Sequence, residues 1–257
     1  MSWAEVVAIV AAGAAAGTIN AVVGSGTLIT FPVLLAFGFP PVVANVSNNI
    51  GLVPGGVSGT LGYRAELRGQ GRRIRALAPM SLLGAVTGAL LLLGLPAAAF
   101  KAIVPVLLGI SLVLVVTQPR IQSAVARRSE SSPGSSGRGQ RLLLMGGTYV
   151  AGAYGGYFGA AQGVLVVGLL GSLLPDPLQR VNALKNLLTL LVNSVAALVF
   201  VALARDQIDW RVVALIAVGS LAGGAVGSRF GRRLPPRVLR ALIVLVGVVA
   251  ILRILGQ

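Results

Sequence analysis

Residues 4–40 read AEVVAIVAAGAAAGTINAVVGSGTLITFPVLLAFGFP, an apolar run of about 37 residues that holds one acid, Glu5, and no Lys or Arg. As one straight helix it would extend roughly 55 Å, against about 30 Å for the hydrocarbon core of a bilayer. The run must therefore be broken. Gly24 and Gly26 are the natural break points, because glycine takes backbone angles that other residues avoid. Further apolar runs lie at about 41–62, 76–94, 97–118, 142–173, 178–204, 210–228 and 237–256. The run 142–173 repeats the excess length and again carries glycines in its middle: Gly155, Gly156, Gly159 and Gly163.

Composition fits this reading. Of 257 residues 56% are hydrophobic and 11% charged, and the mean hydropathy is +0.90, far from the balance of a soluble domain. The chain reads as an all-α integral membrane protein with no room for a soluble catalytic domain. Without cysteine or histidine it has no thiol chemistry, disulfides, iron–sulfur ligands, c-type haem or usual zinc site, so no metal or cofactor is expected. The net charge of +15 sits in short loops between apolar runs. That is the pattern of topology signals and of contact with anionic membrane lipid, and nucleic acid is not an expected partner. Met1 to Val10 lack a basic n-region and read as mature structure.

One polar stretch, 119–140, contains SSPGSSGRG and divides the chain into an N-terminal repeat (1–118), a flexible cytoplasmic linker (119–140) and a C-terminal repeat (141–257). LPAAAFKAIVPVL from Leu95 aligns with LPPRVLRALIVLV from Leu234, an offset of 139 residues (234 − 95). The same offset sets Gly84 and Gly88 on Gly223 and Gly227, and Lys101 on Arg240. Earlier in each half, Asn45-Val-Ser-Asn-Asn49 matches Asn182-Ala-Leu-Lys-Asn186, and Gly24-Ser-Gly-Thr27 lies opposite Gly159-Ala-Ala-Gln-Gly163. Corresponding loops differ in charge. Arg64, Arg68, Arg72, Arg73 and Arg75 face a counterpart in which Arg205 and Arg211 are balanced by Asp206 and Asp209. The next loop reverses this, with Arg229, Arg232, Arg233, Arg237 and Arg240 opposite a stretch that has no cation before Lys101. Since positive loops face the cytoplasm, the two repeats are expected to be inverted. Each has about four helical segments, the first broken so that it re-enters or crosses twice, and both termini lie outside the cytoplasm. The glycine pairs are small-xxx-small motifs, suited to packing within a subunit or in a homodimer.

Broken helices in a membrane expose backbone that only protein or a water-filled cavity can satisfy, so both breaks should line one cavity. If Thr27 and Gln162 start half-helices, their N-terminal amides and dipoles favour an anion. The polar residues nearby are mostly uncharged hydrogen-bonding types: Asn20, Ser25, Thr27, Asn45, Asn48 and Asn49, then Gln162, Asn182 and Asn186. Helical spacing joins Asn45 to Asn49 and Asn182 to Asn186 on one face. Lys185 is the one ammonium in such a helix; it serves the site or snorkels toward an edge marked by Asp176 and Arg180. All six acids, Glu5, Glu66, Glu130, Asp176, Asp206 and Asp209, are placed in termini or loops, which argues against intramembrane acid–base chemistry. A binding and permeation site is expected, not an enzyme.

The run from Gly17 to Gly59, GTINAVVGSGTLITFPVLLAFGFPPVVANVSNNIGLVPGGVSG, resembles the opening of the sulfite exporter TauE/SafE family. GAYGGYFGAAQGVLVVGLL followed by RVNALKNLL is similar to that family's second repeat, including its Lys-Asn pair. The resemblance implies a bacterial inner-membrane permease for sulfite, an organosulfonate or a related sulfur-containing anion. Carried over, the binding positions are Asn20, Gly24, Ser25, Gly26, Thr27, Asn48 and Asn49, with Gly159, Gln162, Gly163, Lys185 and Asn186 opposite. A carrier working by alternating access is the expectation; a passive anion channel, or a permease for another small solute, is the alternative.

Overall fold

The structure is a computed structural model that describes residues 1–131 and 137–230, with 241, 244, 245 and 248; for 124–131 it describes the backbone alone. Among the described residues it is helical, with no strand. The first half forms α1 (Trp3–Val22), α2 (Thr27–Ala36), α3 (Pro41–Gly62), α4 (Gly71–Gly94) and α5 (Ala97–Ser131). The second forms α6 (Arg138–Tyr157), α7 (Gln162–Leu173), α8 (Leu178–Leu203), a 3-10 turn at Arg205–Gln207 and α9 (Trp210–Phe230).

Both overlong runs are broken where the glycines stand. The 10 residues of α2 and the 12 of α7 extend only about 15 and 18 Å, too short to cross a hydrocarbon core. Gly26 lies against Ala16 and Asn20, so the chain reverses as α1 ends and α2 runs back beside it. Among the described residues five helices, Trp3–Val22, Gly71–Gly94, Ala97–Ser123, Leu178–Leu203 and Trp210–Phe230, are long and apolar enough to span. The partition of side chains suits lipid: Leu83, Val113, Leu143, Val150, Leu198 and Val218 are exposed, whereas Asn45, Asn48, Gln162, Asn182 and Lys185 are buried. The chain is a multi-pass membrane protein.

The stretch read as a flexible linker is different. Helix α5 continues through Pro119 to Ser131, and α6 begins at Arg138, so of residues 119–140 only 132–136 lie outside the described set. Residues 120–130, RIQSAVARRSE, contain no glycine and several good helix formers, which carry the helix past the membrane run. Glu130, assigned to a loop, therefore sits on α5. Arg232, Arg233, Arg237 and Arg240, and most of the aligned segment from Leu234, lie outside the described residues.

Glycines set the helix packing. Gly219 abuts Val10, Gly223 abuts Ala14 and Gly227 abuts Thr18, so α1 and α9 run parallel. Gly51 meets Ile216, Gly55 meets Ser220 and Gly62 meets Ser228, which makes α3 parallel to both. In the same way Gly84 and Gly88 seat on Tyr149 and Ala153, and Gly152 and Gly156 on Ser81 and Ala85, pairing α4 with α6 in parallel. The Gly84/Gly88 and Gly223/Gly227 motifs are thus consumed within the chain. Helices α3 and α8 run antiparallel: Gly56 meets Leu190, while Ala21, which touches Gly59, bonds to Lys185 and Asn186. Arg73 and Arg180 both pair with Asp176, and Gln70 Nε2 donates to the Arg180 carbonyl at 3.0 Å. The Gly62–Ser228 contact brings Arg229 to the same end, so the described arginine-rich segments share one face.

Candidate functional site

The two breaks are built alike. After α1 the chain passes through Gly24 at φ +89° and resumes helix at Thr27; after α6 it passes through Gly159 at φ +76° and resumes at Gln162. In each, helix restarts three residues after the left-handed glycine. The breaks touch: Gly163 N donates to Gly24 O at 3.0 Å, and a Cβ on Gly24 would lie 2.5 Å from Gly163 Cα. Only glycine at both positions permits that approach. Ala161 holds a left-handed φ of +59°, a strain of about 1–2 kcal/mol for a residue with a Cβ, maintained by the burial around it.

A helix end leaves carbonyls without partners, and inside a membrane these must find donors. At the end of α1, Ile19 O accepts from Val23 N and Gly24 N at 2.7 and 3.0 Å. Asn20 O accepts from Lys185 Nζ at 2.9 Å; Ala21 O accepts from Lys185 Nζ at 3.3 Å and from Asn186 Nδ2 at 3.2 Å. Val23 O accepts from Gln118 Nε2 at 3.4 Å. At the end of α6, Tyr157 O accepts from Asn45 Nδ2 at 3.0 Å, and Ala160 O from the hydroxyls of Tyr154 at 2.5 Å and Ser111 at 3.1 Å. Each broken helix is therefore closed in part by a polar helix of the other half: α8 serves α1, and α3 serves α6.

The remaining predicted residues surround these seams. Asn20 Oδ1 accepts from Gly26 N at 2.6 Å and bridges the first break. Asn48 accepts from the Thr30 hydroxyl and donates to Thr27 Oγ1 at 3.3 Å, tying α3 to α2. Gln162 folds its side chain over Gly155, where a Cβ would collide with it. Ser25, Asn49, Gln162 and Asn182 each carry a buried side-chain oxygen with no hydrogen-bond partner among the described residues. All four lie in sequence beside residues that form or close the breaks. Ser25 is in the first break, Gln162 precedes Gly163, Asn49 follows Asn48, and Asn182 lies one turn before Asn186. Buried polar groups are normally paired, so idle ones next to the breaks in sequence make this region a candidate for a polar ligand or water, although Thr60, Gln140, Gln179 and Thr189 also carry buried oxygens unpartnered among the described residues.

Two expectations need correction in detail. The half-helix amides are largely occupied: Leu28 N, Ile29 N, Gln162 N and Val164 N bond to local carbonyls, and Gly163 N to Gly24 O. Side chains, more than free amides, are what the breaks offer. Lys185 does not snorkel; it is fully buried, whereas Arg73 and Arg180, paired with Asp176, are about a third exposed at 33% and 34%. Sequence reasoning did not single out Ser111, Gln118 or Tyr154, though a Ser and a Gln within the apolar run 97–118 were a visible signal. It also missed the aromatic packing under the second break. Phe31 meets Phe158 edge-on at 5.2 Å, and Phe100 contacts Tyr157 and Phe158 at 5.7 and 6.2 Å. Among the described residues no cluster of acids could hold a metal ion.

A multi-pass helical protein with two glycine breaks in contact, bordered by idle amides and hydroxyls and one buried ammonium, has the form of a membrane transporter. The chain belongs to the sulfite exporter TauE/SafE family, whose model matches residues 9–254. It is 28% identical over 242 residues to a probable membrane transporter protein, ORF9, of Sinorhizobium sp, covering 94% of this chain and 89% of that one. A probable membrane transporter protein of Haemophilus influenzae is 29% identical over 238 residues, covering 91% and 88%. The probable membrane transporter protein YfcA of Escherichia coli K12 is 27% identical over 236 residues, covering 91% and 83%. No solved structure gives a significant match. The chain is a membrane transporter and not an enzyme.

Proposed function

We propose that the chain carries a small sulfur-containing anion, such as sulfite, sulfoacetate or another organosulfonate, across the bacterial inner membrane by alternating access. The observation that carries the reading is the Gly24–Gly163 seam: four polar side chains without partners beside Lys185, the only buried charged side chain among the described residues. An oxyanion entering there exchanges water for the Ser25 hydroxyl and the amides of Asn49, Gln162 and Asn182. Each amide has two N–H donors to offer. Asn20, Thr27, Asn45, Asn48 and Asn186 hold the backbone of the breaks in place, and the Lys185 ammonium supplies the balancing charge. Gly24, Gly26, Gly159 and Gly163 keep the approach open.

Two inverted repeats, 1–118 and 141–257, would provide the moving halves. Helix directions support this: α1, α3 and α9 run one way, α8 runs against α3, and the pairings α1 with α9 and α6 with α4 exchange corresponding helices. The shared arginine face supports a cytoplasmic assignment for the segments at 63–75 and 174–180 and for Arg229; on that assignment the N-terminus would be extracytoplasmic. The test is counterflow of 35S-sulfite into vesicles holding purified protein. Saturable exchange accelerated by unlabelled anion on the far side supports the carrier. Flux linear in concentration, without counter-exchange, favours a channel, and no flux with sulfite or sulfoacetate removes the substrate class.

A further inference from the structure

A helix C-terminus carries about half a negative charge, and in transporters built on broken helices such ends, with nearby unwound carbonyls, coordinate the coupling cation. In this chain the position is filled by covalent structure. Lys185 Nζ sits on the carbonyls of Asn20 and Ala21 at the end of α1, at 2.9 and 3.3 Å. The side chain reaches there from the other half, is fully buried, and has no carboxylate partner among the described residues. An ammonium at that depth is expensive to keep. The second break does without one: Asn45, Tyr154 and Ser111, all neutral, cover the Tyr157 and Ala160 carbonyls. The position matching Lys185 in the first half is Asn48, whose amide turns to Thr27 and Thr30 instead of a carbonyl. Among the described residues, one break therefore holds a tethered positive charge and its counterpart holds none.

We infer that Lys185 is a built-in replacement for a coupling cation: its ammonium occupies a monovalent-cation position at the carbonyl end of α1, and the protein works without sodium. The inference deepens the proposed anion site, whose charge Lys185 balances, but its primary test uses no anion substrate. Thermal unfolding of the full purified chain is followed in sodium chloride and in choline chloride at equal ionic strength. Wild type is expected to unfold at the same temperature in both. Lys185→Ala and Lys185→Ser expose the Asn20 and Ala21 carbonyls, and the serine adds an oxygen ligand for a hard cation. Both variants are expected to be stabilised by several degrees in sodium relative to choline, by mass action of sodium on the folded state. Lys185→Arg, which keeps the charge, gains no such response.

Several outcomes would overturn the inference: a sodium-dependent wild type, variants that fold and ignore sodium, or variants that fail to fold equally in both salts. Uptake of 35S-sulfite in sodium and choline media gives the second arm. Sodium-dependent uptake by wild type overturns the inference, and equal uptake supports it. Absence of uptake in both counts against sulfite as substrate while the unfolding comparison still decides the role of Lys185.

Discussion

Gly24→Ala tests the seam most directly, because the structure separates its two costs and supplies a control for each. The first is the left-handed backbone: at φ +89° a residue with a Cβ pays about 1–2 kcal/mol. The second is overlap, since the new Cβ would lie 2.5 Å from Gly163 Cα, backbone that cannot swing aside. Overpacking of that kind costs about 1–3 kcal/mol. Gly38→Ala isolates the first cost, for Gly38 has φ +84° and nothing within 4 Å of an added Cβ. Gly163→Ala isolates the second; its helical position should gain up to about 1 kcal/mol from alanine were there no clash. Gly24→Ala is thus expected to lose about 2–5 kcal/mol, Gly38→Ala about 1–2, and Gly163→Ala to be destabilised in spite of its propensity gain. Thermal unfolding in detergent orders the three, at roughly 2–4 °C per kcal/mol for a chain of this length. If Gly24→Ala fell no further than Gly38→Ala and Gly163→Ala were stabilising, the two breaks would not be in contact.

Asn45→Ala removes the donor from the buried Tyr157 carbonyl and should cost about 1–3 kcal/mol by thermal unfolding; a neutral result would mean that water replaces the amide. Gly223→Leu drives a side chain into the Ala14 carbonyl and should cost about 3 kcal/mol or more, whereas Gly94→Leu, with open space around it, should match wild type. Asp176→Asn loses its pairs with Arg73 and Arg180, whose side chains are about a third exposed at 33% and 34%. The expected loss is about 1 kcal/mol or less and should shrink as salt is raised. A larger, salt-insensitive loss would show that the cluster is shielded from solvent.

The breaks were legible because two constraints met in one stretch: a run too long for one crossing, and glycines inside it. Gly24 and Gly159 then adopt left-handed angles that most other residues avoid, and the helix ends fall within two residues of each. The polar set was legible for a similar reason, since Asn45, Asn48, Asn182 and Lys185 are costly in an apolar helix unless something uses them. What each uses was not legible. Lys185 and Asn20 are separated by 165 residues, and nothing in either sequence neighbourhood says that the ammonium ends on a carbonyl. The helical extension of α5 beyond Pro119 was missed because a fall in hydrophobicity was read as a loss of structure, whereas a helix leaving the membrane needs only helix-forming residues, not apolar ones.

The donors at the two seams also rank how readily each parts. The Gly163–Gly24 contact is one neutral hydrogen bond, worth about 0.5–1.5 kcal/mol net. Separating Lys185 from Asn20 and Ala21 forfeits two charge-assisted bonds, about 1.5–3 kcal/mol each, and strands an ammonium in a medium that solvates it poorly. Asn186 adds a third bond at the same helix end. Relative motion at the site is therefore cheaper between α7 and the first break than between α8 and α1. On the proposed alternating-access reading, a cycle that conserves Lys185 pairing would move the end of α1 together with α8, although 165 residues of chain lie between the bonded groups, and would open where the two glycines meet.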